Sequence, residues 1–182
     1  MIVAKAGGEE IDRTLGYVPT AEFIPTVEGY HKGVGTLKAM LAEEKSKAKD
    51  AAFLYDLGEK LYAHNRASDA DARYAKVIEV DPKNASGDAD DALMMRVGVC
   101  QKAKDWDCAI EKTKDLTGRW PESELVPDAY ITLAWIYENA GKKPEALAAY
   151  KDYIARYPEG SDVGFAQEQI KGLETPAPAK TY

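Results

Sequence analysis

Between Pro127 and Pro158 the chain reads PDAYITLAWIYENAGKKPEALAAYKDYIARYP, and this stretch restricts the fold more than any other. Tyr130, Leu133, Ala134 and Tyr137 recur at helical spacing and share one face of a first helix. Gly141 and Lys142 form a turn, and Pro144 opens a second helix, where a missing N–H costs nothing. Ala146, Tyr150 and Tyr153 mark one face of that second helix, and Pro158 stops it. The small side chains of Ala134 and Ala146 let the two helices approach closely, while the aromatics fill the space around the contact.

Two more copies of the pattern lie upstream. In the first, Leu54, Leu57, Gly58 and Leu61 belong to helix A, and Ala70, Tyr74, Val77 and Pro82 to helix B. In the second, Leu93, Val97 and Cys100 precede Ala109, Leu116 and Pro121, with Arg96 and Thr113 where a leucine and an aromatic are expected. The register is fixed by one spacing: Ala70 to Pro82, Ala109 to Pro121 and Ala146 to Pro158 all span the same 12 residues. The order of bulky, small and aromatic residues resembles the tetratricopeptide repeat (TPR), whose basic period is about 34 residues. Successive prolines here are further apart, and the surplus falls in the turn-rich segments Lys83–Asp90 and Glu122–Val126.

The resemblance covers residues 51–174. It implies a mostly α fold: a TPR helical-repeat array of three helix pairs (51–84, 90–123 and 127–160) closed by a capping helix over 161–174. Such arrays bury a core only by stacking, so the last open face needs a cover. Val163, Ala166, Ile170 and Leu173 supply one apolar stripe for it. Residues 175–182 are Pro-rich and read as a disordered tail.

Ahead of the array, Met1–Lys5, an Ala6-Gly7-Gly8-Glu9 turn and Ile11–Tyr17 read as a short β-hairpin. Pro19–Tyr30 follows as a helix, with Phe23, Ile24, Val27 and Tyr30 at helical spacing and Pro25 as an internal disturbance. Gly33 and Gly35 break it, and Thr36–Lys49 reads as a charged linker helix within residues 33–50. Residues 1–32 resemble the last hairpin and C-terminal helix of a thioredoxin-like domain, without its Cys-x-x-Cys. That likeness implies a remnant whose catalytic part precedes Met1. The alternative is a hairpin that packs on its own helix and the first repeat, since a lone two-stranded hairpin is marginal in water.

No catalytic constellation is present: there is no nucleophile elbow, P-loop, zincin motif or Cys-x-x-Cys. The reading is therefore of a non-enzyme with no cofactor and no metal site. The acidic residues Asp81, Asp88, Asp90 and Asp91 lack EF-hand spacing and read as caps. His31 and His64 read as solvated surface residues, and Trp106 as core. Cys100 and Cys108 flank the turn KAKDWD, which leaves two readings open. They are either buried thiols packing as small apolar residues or a disulfide that would imply an oxidising compartment.

The formal charge of −7, without a dense Lys/Arg cluster, argues against a nucleic-acid partner. No apolar run approaches the roughly 20 residues that span a bilayer. The N-terminus lacks the features of a signal peptide, which leaves export open. The aromatic-Pro endings Trp120-Pro121 and Tyr157-Pro158 resemble TPR proteins of the bacterial envelope, implying periplasm or cell envelope and leaving the cytoplasm open.

The TPR resemblance also implies a concave groove lined by Tyr55, Glu59 and Tyr62 from the first repeat, Met94 and Gln101 from the second, and Ile131, Trp135 and Glu138 from the third. These side chains suit a protein or peptide partner. Tyr55 and Glu59 replace the Lys and Asn that grip chaperone C-terminal carboxylates, which disfavours that ligand. Self-association through the open hairpin edge is a further expectation.

Overall fold

The computed structural model describes residues 1–175, so the expected tail beyond Thr175 lies outside the described residues. The chain divides into two compact units, Met1–Ala92 and Leu93 onward, with the division inside one helix. Among the described residues the fold is mostly helical, with a two-stranded hairpin at its start.

In the first unit, β1 (Ile2–Ala4) pairs antiparallel with β2 (Glu10–Arg13), in the register Ile2↔Arg13 and Val3↔Asp12. The strand expected to run on to Tyr17 ends at Arg13. One further pair of backbone hydrogen bonds joins Thr14 to Met1, at 2.9 and 2.7 Å. Beyond it Gly16 takes a left-handed φ of 76°, and Leu15 and Tyr17 are exposed. Val3 and Asp12 turn inward as a cross-strand pair, one apolar and one charged.

Helix α1 (Thr20–His31) tolerates Pro25 because Ala21 to Pro25 all face solvent. Of the expected stripe only Tyr30 is buried, while Phe23 and Ile24 remain exposed. Helix α2 (Leu37–Glu43) is capped by the Thr36 hydroxyl, which accepts from the Ala39 N–H at 3.2 Å. It stops well short of Lys49. The Ser46 hydroxyl donates to the Glu43 carbonyl at 2.7 Å, competing with the helical ladder, and α2 buries no side chain that would hold it longer.

Helices α3 (Ala51–Ala63) and α4 (Ala67–Val80) form the first pair, with Leu57, Leu61, Ala70, Tyr74 and Val77 buried between and beneath them. Gly58 is required by this contact: a Cβ there would lie 2.5 Å from the Tyr74 ring. Helix α5 (Asp88–Lys102) begins in this unit, where Asn84 Oδ1 accepts from the Ala89 N–H at 2.8 Å. Asp81 accepts from the N–H groups of Ala85 and Ser86, so it orders the surplus residues between repeats.

In the second unit, α5 is followed by α6 (Trp106–Arg119), α7 (Val126–Asn139), α8 (Lys143–Arg156) and α9 (Val163–Glu174). Helix α7 packs on α6 and α8, and α8 on α9. Being sandwiched explains why α7 is apolar on two sides. Ala134 joins Ala146, Tyr150, Tyr153 and Ala166 in one cluster, whereas Ile136 joins Val97, Cys100, Ala109 and Ile110 in another. Val163, Ile170 and Leu173 of α9 pack against the first of these clusters, as a capping helix should.

The three repeats share local geometry beyond their sequence pattern. Between helices A and B stands one left-handed residue, Asn65 (φ 59°), Lys104 (φ 58°) or Gly141 (φ 72°). The following N–H reaches back to the carbonyl of Leu61, Cys100 or Tyr137, each at 2.9 Å, closing a Schellman-type turn. At the other end, Asp81, Trp120 and Tyr157 precede prolines and take φ/ψ of −128°/65°, −131°/70° and −126°/63°. The divergent middle copy therefore keeps the repeat backbone. Where Gly58 and Ala134 face tyrosines in the other copies, the middle copy has Val97 and, in place of the tyrosine, buried Thr113, whose hydroxyl donates to the Ala109 carbonyl at 2.7 Å. A larger residue on helix A is matched by a smaller one on helix B.

Candidate functional site

The eight expected groove positions fall three in the first unit and five in the second. In the first, the Tyr55 ring lies 5.9 Å from that of Tyr74, tilted by 50°. Burial pushes the Tyr55 phenol above its usual range, reinforced by the charges of Glu59, Asp91 and Asp88. Glu59 accepts a hydrogen bond from the Tyr74 hydroxyl, and Tyr62 is half-buried. Glu59 also borders a cavity of about 760 Å³ whose other walls are the end of β2, α1, α2 and α3.

Charged and hydrogen-bonding groups attach the hairpin to α3. Asp12, 1 % exposed, accepts from the backbone N–H groups of Arg13 and Leu37, pairs with Lys60 at 3.3 Å and meets His64 Nε2 at 2.9 Å. Lys60 also donates to the Arg13 carbonyl and to the Tyr30 hydroxyl. His64 is thus not a solvated surface residue, because its ring closes this buried cluster; His31 is exposed. Burial raises the Asp12 carboxyl, but the hydrogen bonds from His64, Leu37 and Arg13 and the Lys60 charge outweigh it and hold it below its usual value.

In the second unit, Gln101, Ile131 and Trp135 come together around a cleft of about 350 Å³. Thr132, Asp162 and Phe165 complete its lining, none of them singled out in the sequence. Trp135 is 37 % exposed and Phe165 40 % exposed. Each is backed by a second ring at a steep angle: Trp106 lies 6.0 Å from Trp135, and Tyr150 lies 6.1 Å from Phe165. Asp162 stands just ahead of α9, and its Oδ2 accepts from the Ser161 hydroxyl at 2.8 Å.

Met94 and Glu138 lie outside this cleft. Met94 packs on the cluster around Val97 and Cys100, and Trp106, as expected, packs there too. Glu138 accepts from the Tyr150 hydroxyl at 2.8 Å, and burial with that carboxylate raises the Tyr150 phenol. At the register position of Glu59 and Trp135 the middle repeat has Gly98, above which a Cβ would meet open space. Phe165 had a signal in the sequence: it is an aromatic lying off the apolar stripe of the capping helix.

Cys100 and Cys108 are joined across the turn between α5 and α6, with Cα atoms 5.8 Å apart. Asp81, Asp88, Asp90 and Asp91 sit in caps and first turns, and no group of His, Cys, Asp or Glu among the described residues could hold a metal ion. Among the described residues no helix is long and apolar enough to cross a membrane.

Residues 128–160 match the model of a tetratricopeptide repeat family. No curated protein sequence matches the chain. Among solved structures, the crystal structure of MamA is similar with a TM-score of 0.58 and 20 % identity, over 87 % of this chain and 88 % of that one. Together with the repeated turns, the match identifies the fold as a TPR-type helical-repeat array behind a short hairpin.

Proposed function

We propose that this chain is a non-catalytic interaction module that captures a segment of another protein in the cleft between α7 and α9. The observation that carries the proposal is the pair of half-exposed rings, Trp135 and Phe165, each braced by a second aromatic. Large aromatic side chains offer much contact area for little ordering entropy, and bracing fixes their orientation before a ligand arrives. Ile131 extends the apolar wall, while Gln101 and Thr132 provide hydrogen-bonding groups that would select among ligands. Helices α6 to α9, each packed on the next, frame the cleft.

Peptide-library selection on the folded chain tests this reading. A consensus should enrich on the wild type and disappear on Trp135→Ala, with helicity and melting temperature close to wild type. A consensus indifferent to Trp135, or none at all, would sink the proposal. Loss of folding in the variant would make Trp135 a structural residue instead.

A further inference from the structure

We infer that the cleft between α7 and α9 receives a cationic side chain, arginine or lysine, of the bound segment; this rests on the groove reading above. Three features of the cleft converge on that ligand chemistry. Trp135 and Phe165 present more than a third of their surface to the cleft and its surroundings, so an alkyl stem or a planar guanidinium can lie against a ring. Asp162 belongs to the same lining, and its hydrogen-bond partner Ser161 is a neutral hydroxyl, which leaves the carboxylate charge uncompensated in that contact. The remaining polar groups, Gln101 and Thr132, offer oxygen acceptors to the N–H donors of a guanidinium.

The same chain already pairs cations with rings elsewhere. The Arg156 guanidinium sits 4.7 Å from the Tyr130 ring centre, and Lys47 sits 4.6 Å from that of Phe53. Ring plus carboxylate is the combination used at Tyr130, where Arg156 also holds Asp152 at 2.8 Å. The α7–α9 cleft supplies the ring and the carboxylate, and the partner would supply the cation. A formal charge of −7 favours a basic partner at longer range as well.

The test uses the full chain labelled with ¹⁵N and four pentapeptides, acetyl-Ala-Ala-X-Ala-Ala-amide, with X as arginine, lysine, norleucine or glutamate. The Trp135 indole N–H signal is assigned by its loss in Trp135→Phe. The arginine and lysine peptides should shift that signal saturably, at least fivefold more tightly than norleucine, with glutamate weakest. Asp162→Asn should weaken the arginine peptide at least fivefold and leave norleucine unchanged. Raising NaCl from 50 to 500 mM should weaken arginine binding to the unmodified chain, a check independent of how the variant folds. If norleucine binds as well as arginine and salt has no effect, the cationic assignment is overturned while the groove reading stands. If no peptide moves the Trp135 signal at millimolar concentration, both fall.

Discussion

His64 Nε2 lies 2.9 Å from Asp12 Oδ1 although 52 residues separate them, and this contact ties the hairpin to the end of α3. Because Asp12 is held below its usual range in the folded state, its contribution to stability is present above the unfolded carboxyl value of about 3.9. It is lost as pH falls through the lower folded value. Protection factors of the Val3 and Arg13 amides, corrected for intrinsic exchange, should therefore hold from neutral pH down to about 4 and fall below that. In Asp12→Asn the hairpin amides should exchange faster at neutral pH, and the acid dependence should flatten. Unchanged protection in that variant would mean the hairpin is held by something else.

Gly58→Ala should destabilise the first helix pair by about 1–3 kcal/mol, as overpacking does. The new Cβ would sit 2.5 Å from the Tyr74 ring, which is buried and cannot swing aside. Equilibrium unfolding in urea measures the change. The double variant Gly58→Val with Tyr74→Thr reproduces the Val97 and Thr113 pairing of the middle repeat. It should fold more stably than Gly58→Val alone.

Lys104 occupies a left-handed turn position that Gly141 fills in the next repeat. Left-handed backbone costs a residue with a Cβ about 1 kcal/mol, part of which glycine returns as unfolded-state entropy. Lys104→Gly should raise stability by roughly 0.5 kcal/mol, and Gly141→Lys should lower it by at least as much. Thermal unfolding of both variants checks the pairing of signs.

With Cys100 and Cys108 joined, iodoacetamide should add nothing to the chain before reduction and two adducts after it. Closing so short a loop stabilises by roughly 2–3 kcal/mol, so reduction should lower the unfolding midpoint. Two adducts without reductant would show free thiols.

The helix pairs were legible because their signal is local: a small residue, an aromatic four residues later and a proline at fixed distance all report one backbone. Even the middle copy could be placed, since Ala109 and Pro121 kept the spacing while Thr113 did not keep the aromatic. The end of the linker helix is not legible, because its charged residues up to Lys49 match helical propensity while the stop depends on the Ser46 hydroxyl and on the lack of a buried face. Asp12 and His64 were invisible as a pair, since no periodicity links a strand residue to a distant helix end. The cleft was half legible. Gln101, Ile131 and Trp135 follow from repeat register, but Asp162 is the N-cap residue of α9 and Phe165 lies off its apolar stripe, where no repeat register points to them.

The near-identical turns at Asn65, Lys104 and Gly141 also say where the chain can accept new sequence. An added residue there would rotate the whole of helix B by about 100° relative to helix A, swinging its small residue away from the seam. Between Lys83 and Gly87, where Asp81 and Asn84 organise a loop by side-chain hydrogen bonds, an inserted tag would lengthen a connection and leave both neighbouring helix faces in phase. A reporter peptide for following partner capture is best grafted at that loop.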